Sequence, residues 1–105
     1  LKDVIIRKGE NISAQEIEDL LYHHPKIADV AVIGLPDPAS GERVCAVVQC
    51  VPGETLAFDE MVAFLLDKEL MKQKLPEQLE LIGEIPRNPA GKILKKDLRA
   101  QYGEG

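Results

Sequence analysis

At 105 residues, 45% apolar and 30% charged, the chain has the size and composition of one folded domain, which excludes a disordered polymer. Its 18 acidic residues outnumber 13 basic ones, and the net charge of −5 argues against non-specific nucleic-acid binding, which usually needs a basic face. No apolar run approaches the roughly 20 residues that cross a bilayer, so no transmembrane segment is expected.

The chain opens at Leu1-Lys2-Asp3-Val4 without a signal-peptide pattern. From Asp3 to Ile12 it reads as two very short strands around a tight turn at Lys8-Gly9-Glu10. Ser13 then supplies an N-cap, Glu16 the reciprocal half of a capping box, and Ile12 and Ile17 a hydrophobic staple. Ile17, Leu20, Leu21 and His24 follow helical spacing until Pro25 stops the helix. Ile27 to Leu35 is a β-branched strand with Asp29 as a polar interruption. The residues Pro36 to Arg43 carry turn chemistry, and Val44 to Val51 is a second strand that can pair antiparallel with the first. A helix is predicted over Phe58 to Lys68, with Thr55 as its cap and Phe58, Val62, Leu65 and Leu66 facing inward. The pattern does not decide between helix and irregular chain over Glu69 to Lys74. Gln78 to Ile82 is a third strand, Pro86 to Gly91 a loop, and Leu94 to Gln101 a last helix. The expected fold is therefore α+β: a short N-terminal β-hairpin, then a three-stranded sheet with packed helices, in the order β-β-α-β-β-α-β-α.

The two cysteines, Cys45 and Cys50, share one predicted strand. Five residues of strand separate them by about 16 Å on opposite faces, too far for a disulfide, which needs Cα atoms within about 7 Å. Two unpaired thiols are expected, in keeping with a reducing cytoplasm. His23 and His24 are expected at the surface or a helix end, and no metal-ligand spacing is present.

The run Pro86-Arg87-Asn88-Pro89-Ala90-Gly91-Lys92 has the clearest chemical content. Two prolines stiffen the approach, Gly91 permits a conformation other residues resist, and Lys92 follows at the turn into a helix. A compact ammonium at the tip of a rigid loop suits developing phosphate charge. The alternative is a solvated lysine among Lys95, Lys96 and Arg99.

This stretch resembles the last core motif of the adenylate-forming superfamily: acyl-CoA synthetases, luciferases and peptide-synthetase adenylation domains. The resemblance assigns Lys92 as the lysine of adenylate formation, with Gly91 supporting its loop. Ala90 stands where a hydroxyl residue is usual. Leu1 to Glu18 is similar to the family's hinge motif and first lid helix, which puts Lys2 at the hinge and Gly9 beside the pantetheine channel. Asp29 to Pro38, Gly41-Glu42 and Lys74-Leu75-Pro76 also resemble acyl-CoA ligases. Two departures stand out. Ser40 occupies the place where some ligases stack an aromatic ring on the CoA adenine, and Ile6 the place of a second luciferase lysine.

The resemblance implies a C-terminal lid, expected to begin at the boundary with a large N-terminal domain that binds nucleotide and acyl group. It further implies conversion of carboxylic acid, ATP and CoA to acyl-CoA, AMP and pyrophosphate, with Mg²⁺ as cofactor. The lid would turn about Lys2, presenting Lys92 for adenylation and the Lys8-Gly9-Glu10 turn for thioester formation. A lid that loads a carrier protein, or an interaction module without chemistry, are the alternatives.

Overall fold

The computed structural model describes residues 3–103. The chain runs β1 (Val4–Arg7), β2 (Glu10–Ser13), α1 (Ala14–Leu21), β3 (Ile27–Asp37), β4 (Gly41–Cys50), α2 (Phe58–Asp67), a 3-10 turn (Lys72–Lys74), β5 (Gln78–Leu81) and α3 (Lys95–Gly103). The α+β class and the expected order of strands and helices hold. The N-terminal hairpin, however, does not stand apart from the sheet. β1 pairs with β4 at Arg7 and Gly41, making a single five-stranded sheet. β3 pairs antiparallel with β4 from Ile27 and Cys50 to Asp37 and Gly41, and β5 runs parallel to β4 along its other edge.

The junction has a polar cause. The Ile6 N–H donates to the Glu42 carboxylate at 2.9 Å, which closes the gap where β1 leaves β4. Room for that carboxylate comes from Gly34 across the ladder, where a Cβ would lie 2.7 Å from Glu42 Oε2. β3 and β4 also run further into their turn than the strand-forming residues alone suggest. Asp37 Oδ1 accepts from the N–H groups of Ala39 and Ser40 at 2.9 and 3.1 Å, so the reversal needs only three residues. Pro36 is tolerated because β3 is an edge strand, where a missing N–H breaks no ladder.

Helices cover both faces of the sheet. One core (Ile5, Ile12, Ile17, Leu21, Val30, Val32, Val48, Met61, Leu65) lies under α1 and α2. The other (Ala31, Ile33, Leu35, Cys45, Val47, Leu98) lies under α3. This explains why Val30 to Leu35 and Val44 to Val48 read as continuous apolar runs rather than alternating ones. Cys45 and Cys50 fall on opposite faces, both as free thiols.

At α1 the cap holds only in part. Ser13 Oγ accepts from the Glu16 N–H at 3.2 Å, while the Glu16 carboxylate turns away to Lys74 Nζ at 3.0 Å. At α2 the cap residue is Ala57, not Thr55. Glu60 Oε1 takes the Ala57 N–H instead. Its inward face is also turned from the expected one. Met61 and Leu65 are fully buried, whereas Phe58 and Leu66 are each 41% exposed. His24 sits at a helix end but is buried, its ring centroid 4.7 Å from that of Phe64 and its Nδ1 accepting from the Lys26 N–H. His23 is exposed.

Candidate functional site

The loop that carries Lys92 is a tight hairpin. Arg87 and Ile93 form an antiparallel bridge. The Gly91 N–H donates to the Asn88 carbonyl at 2.8 Å, with Pro89 at the second turn position, where its fixed φ is preformed. Gly91 itself has φ +88°, which an L side chain resists. Asn88 then grips Lys92 twice. Its N–H donates to the Lys92 carbonyl, and its Oδ1 accepts the Lys92 N–H, both at 2.9 Å. The backbone of Lys92 is thereby fixed, while its side chain is exposed and its ammonium enters no ion pair among the described residues.

Beneath this tip lies an open groove of about 720 Å³, lined by Tyr22, Arg87, Lys92, Lys95, Lys96 and Arg99 among others. Two of its five cations are neutralised locally. Lys95 Nζ pairs with Asp3 and, at 2.7 Å, with Glu18, whose Oε2 also accepts the Val32 N–H. Arg87 grips Asp29 with two nitrogens, at 2.9 to 3.1 Å. Burial alone would raise the Asp29 carboxyl, but hydrogen bonds from Arg87, Tyr22 and the Val30 N–H overcome it and hold the group below the usual range. The Tyr22 hydroxyl is raised, chiefly by burial and then by its bond to Asp29. Lys92, Lys96 and Arg99 remain as the cations without an acidic partner among the described residues, a local excess suited to an anion.

The Lys8-Gly9-Glu10 turn is built at another place. Lys8 (φ +52°) and Gly9 (φ +77°) both lie in the left-handed region, as a two-residue hairpin linking the paired Arg7 and Glu10 requires. The Lys8 N–H donates to the Ser40 carbonyl at 2.8 Å, bringing the turn against the Pro36–Gly41 reversal. Arg7 reaches across to the Gln73 carbonyl at 2.6 Å, the Leu75 carbonyl at 3.2 Å and the Glu77 carboxylate at 3.1 Å. Three stretches remote in sequence thus meet at one end of the sheet: the hairpin turn, the Asp37–Ser40 turn and Lys74-Leu75-Pro76. A Cβ on Gly9 would meet nothing within 4 Å, so no packing inside the domain demands glycine there; only its φ does.

Asp29, which anchors the lysine loop, lies near the start of β3, and Asp37, beside the glycine turn, closes it. Eight residues of strand put the two places about 26 Å apart. The residues named from the sequence therefore divide between two ends. Lys92 and Gly91 stand at one, and Lys8, Gly9 and Glu10 at the other. Lys2 lies outside the described residues. Sequence reasoning overlooked Arg87 and Asp29 as partners. The available signal was a charged residue interrupting an otherwise apolar strand.

Among the described residues no group of three or more His, Cys, Asp or Glu side chains could hold a metal ion, and no helix is long and apolar enough to cross a membrane. The AMP-binding enzyme C-terminal domain family matches residues 16–92. The medium-chain fatty-acid–CoA ligase of Escherichia coli (strain K12) is 48% identical over 99 residues, which cover 93% of this chain and 18% of that protein. A fatty acid–(acyl-carrier-protein) ligase of Streptomyces coeruleorubidus is 41% identical over 102 residues, covering 97% and 20% respectively. The solved structure of a Mycobacterium tuberculosis fatty acyl CoA synthetase superposes with a TM-score of 0.88 at 41% identity, over 97% of this chain and 20% of that one. The chain thus spans about a fifth of the length of these relatives. With its matched segment running from the first helix to the loop lysine, it belongs to the AMP-binding enzyme C-terminal domain family.

Proposed function

We propose that this chain is the C-terminal lid of an ATP-dependent acyl-CoA ligase, working against a large N-terminal domain that carries the nucleotide and acyl sites. In the reaction, a carboxylate attacks the α-phosphate of ATP to give acyl-adenylate and pyrophosphate. The CoA thiol then attacks the acyl carbon and expels AMP. The observation that carries this reading is Lys92: an ammonium with no acidic partner among the described residues, on a backbone fixed from both sides, above a groove with surplus positive charge. Negative charge builds on phosphate oxygens during adenylation, and a preorganised cation stabilises it without reorganisation at the moment of reaction. Lys2 would serve as the hinge. The Lys8-Gly9-Glu10 turn would line the CoA arm, with Gly91 shaping the lysine loop.

In this reading Mg²⁺ would be held chiefly by the ATP phosphates and the N-terminal domain, for the described residues offer no group of three or more His, Cys, Asp or Glu side chains. Two free thiols accord with a cytoplasmic protein. In the full-length enzyme, Lys92→Ala should lower ATP–pyrophosphate exchange by roughly 10² to 10³ while thioester formation from supplied acyl-adenylate persists. Unchanged exchange would remove Lys92 from the site.

A second reading is favoured by relatives such as the carrier-protein ligase of Streptomyces coeruleorubidus. Offering CoA and a phosphopantetheinylated carrier protein to the same full-length enzyme separates the two acceptors.

A further inference from the structure

We propose that Arg87 is a positioning residue that aims Lys92, and that Asp29 and Tyr22 hold it for that purpose. The inference rests on the ligase reading above and adds to it a second group on which adenylation depends.

The guanidinium joins three parts of the fold. Its Nε donates to Asp29 Oδ2 at 3.1 Å, and Nη2 donates to Oδ1 at 2.9 Å and Oδ2 at 3.0 Å, at the start of β3. Nη2 also approaches the Tyr22 hydroxyl, just past α1, at 3.5 Å. Nη1 donates to the carbonyl of Gly91, the residue before Lys92. The other hydrogen bonds of the tip, between Asn88 and Gly91 or Lys92, are internal to the loop and can keep its shape but not its aim. Only the Arg87 bonds run from residues 88–92 to the sheet among the described residues. Asp29 is itself fixed from two further sides, by the Tyr22 hydroxyl at 2.6 Å and the Val30 N–H at 2.9 Å.

Two considerations separate positioning from the alternatives. All three guanidinium nitrogens already have protein acceptors, so although Arg87 lines the groove, most of its five N–H donors point at the protein and not at a ligand. Moreover, its side chain is 39% exposed, and an ion pair that open contributes little to stability. Geometry is different, because a displacement of about 1 Å at a reacting group can cost about 10²-fold in rate. Arginine suits the task because its rigid fork binds a carboxylate at two points and still reaches a carbonyl; an ammonium would do one or the other.

The test uses the full-length enzyme, with pyrophosphate exchange and thioester formation from supplied acyl-adenylate measured separately. Arg87→Gln should lower exchange by roughly 10- to 100-fold, in kcat rather than in KM for ATP, and leave the thioester step unchanged. Arg87→Lys should fall between Gln and the parent. Asp29→Asn keeps the shape of the β3 start and should lose adenylation alone, which keeps the idea testable if Arg87→Gln folds poorly. The deciding arm is the Lys92→Ala background, where adding Arg87→Gln should produce no further loss. A full additional loss there, or equal losses in both half-reactions, would overturn the inference. If Lys92→Ala alone exchanges normally, the ligase-lysine reading fails. If Lys92→Ala is impaired but Arg87→Gln is not, only the present inference fails.

Discussion

Burial pushes the Cys45 thiol from its ordinary 9.0 up to about 12, with the Glu80 carboxylate adding to the shift and Arg43 opposing it. The side chain is fully buried on the α3 face of β4. Cys50 is also raised by burial, but it is only partly covered and Lys26 pulls the other way. Because the folded value of Cys45 lies above the unfolded one, its contribution to stability is intact below about pH 9. That contribution drains away as pH rises toward 12, since the unfolded chain then releases a proton the folded one keeps. Urea midpoints followed from pH 8 upward should therefore decline, and Cys45→Ala should flatten that decline at the expense of a small cavity. A thiol reagent at neutral pH should modify Cys50 in the native protein and reach Cys45 only on unfolding. Equal labelling rates in the native state would contradict the burial on which both expectations stand.

At the level of elements, the end of α2 carries strain that a single substitution would relieve. The Leu70 N–H donates to the Leu65 carbonyl and the Glu69 N–H to the Leu66 carbonyl, the paired bonds of a Schellman cap. Such a cap places Glu69 in the left-handed region, at φ +66°, which costs an L residue about 1 to 2 kcal/mol. Glu69→Gly should stabilise the fold by about 1 kcal/mol, visible as a Tm rise of roughly 4–8 °C for a domain of this size. A Tm that falls would show that the unfolded-chain entropy of glycine outweighs the strain. The sequence could not announce this cap, for Glu69 is neither glycine nor asparagine. What was legible shares one property, short range. Ser13 caps its helix through a bond to Glu16, three residues on, and Pro89 with Gly91 shapes a five-residue turn. What was hidden is either degenerate or remote. On α2, Phe58, Met61, Val62, Phe64, Leu65 and Leu66 leave several faces about equally apolar, so periodicity chose Phe58 and Leu66 where packing chose Met61. The bond from Ile6 to Glu42 spans 36 residues and the grip of Arg87 on Asp29 spans 58, distances over which no local pattern reports.

Across the whole molecule, the two candidate sites lie toward opposite ends of β3, too far apart to act together. With about 26 Å between the anchor of the lysine loop and the reversal beside Gly9, a single reaction centre can face only one of them at a time. A ligase that uses both must therefore turn this domain between its half-reactions, a motion of the kind that completes many active sites. The turn at Gly9 is where this can be read most cleanly. Its φ of +77° means that any side chain brings backbone strain, while the open space around it means that none brings a clash within the domain. Gly9→Ala and Gly9→Leu should thus destabilise the fold by a similar modest amount, about 1 to 2 kcal/mol. They should part in catalysis. If this turn lines the CoA arm as proposed, leucine in the full-length enzyme should stop thioester formation, whereas alanine should slow it less. Both should retain adenylation, which the proposed function assigns to the far end. Identical thioester rates for alanine and leucine would reduce Gly9 to a backbone requirement and take the channel away from this turn.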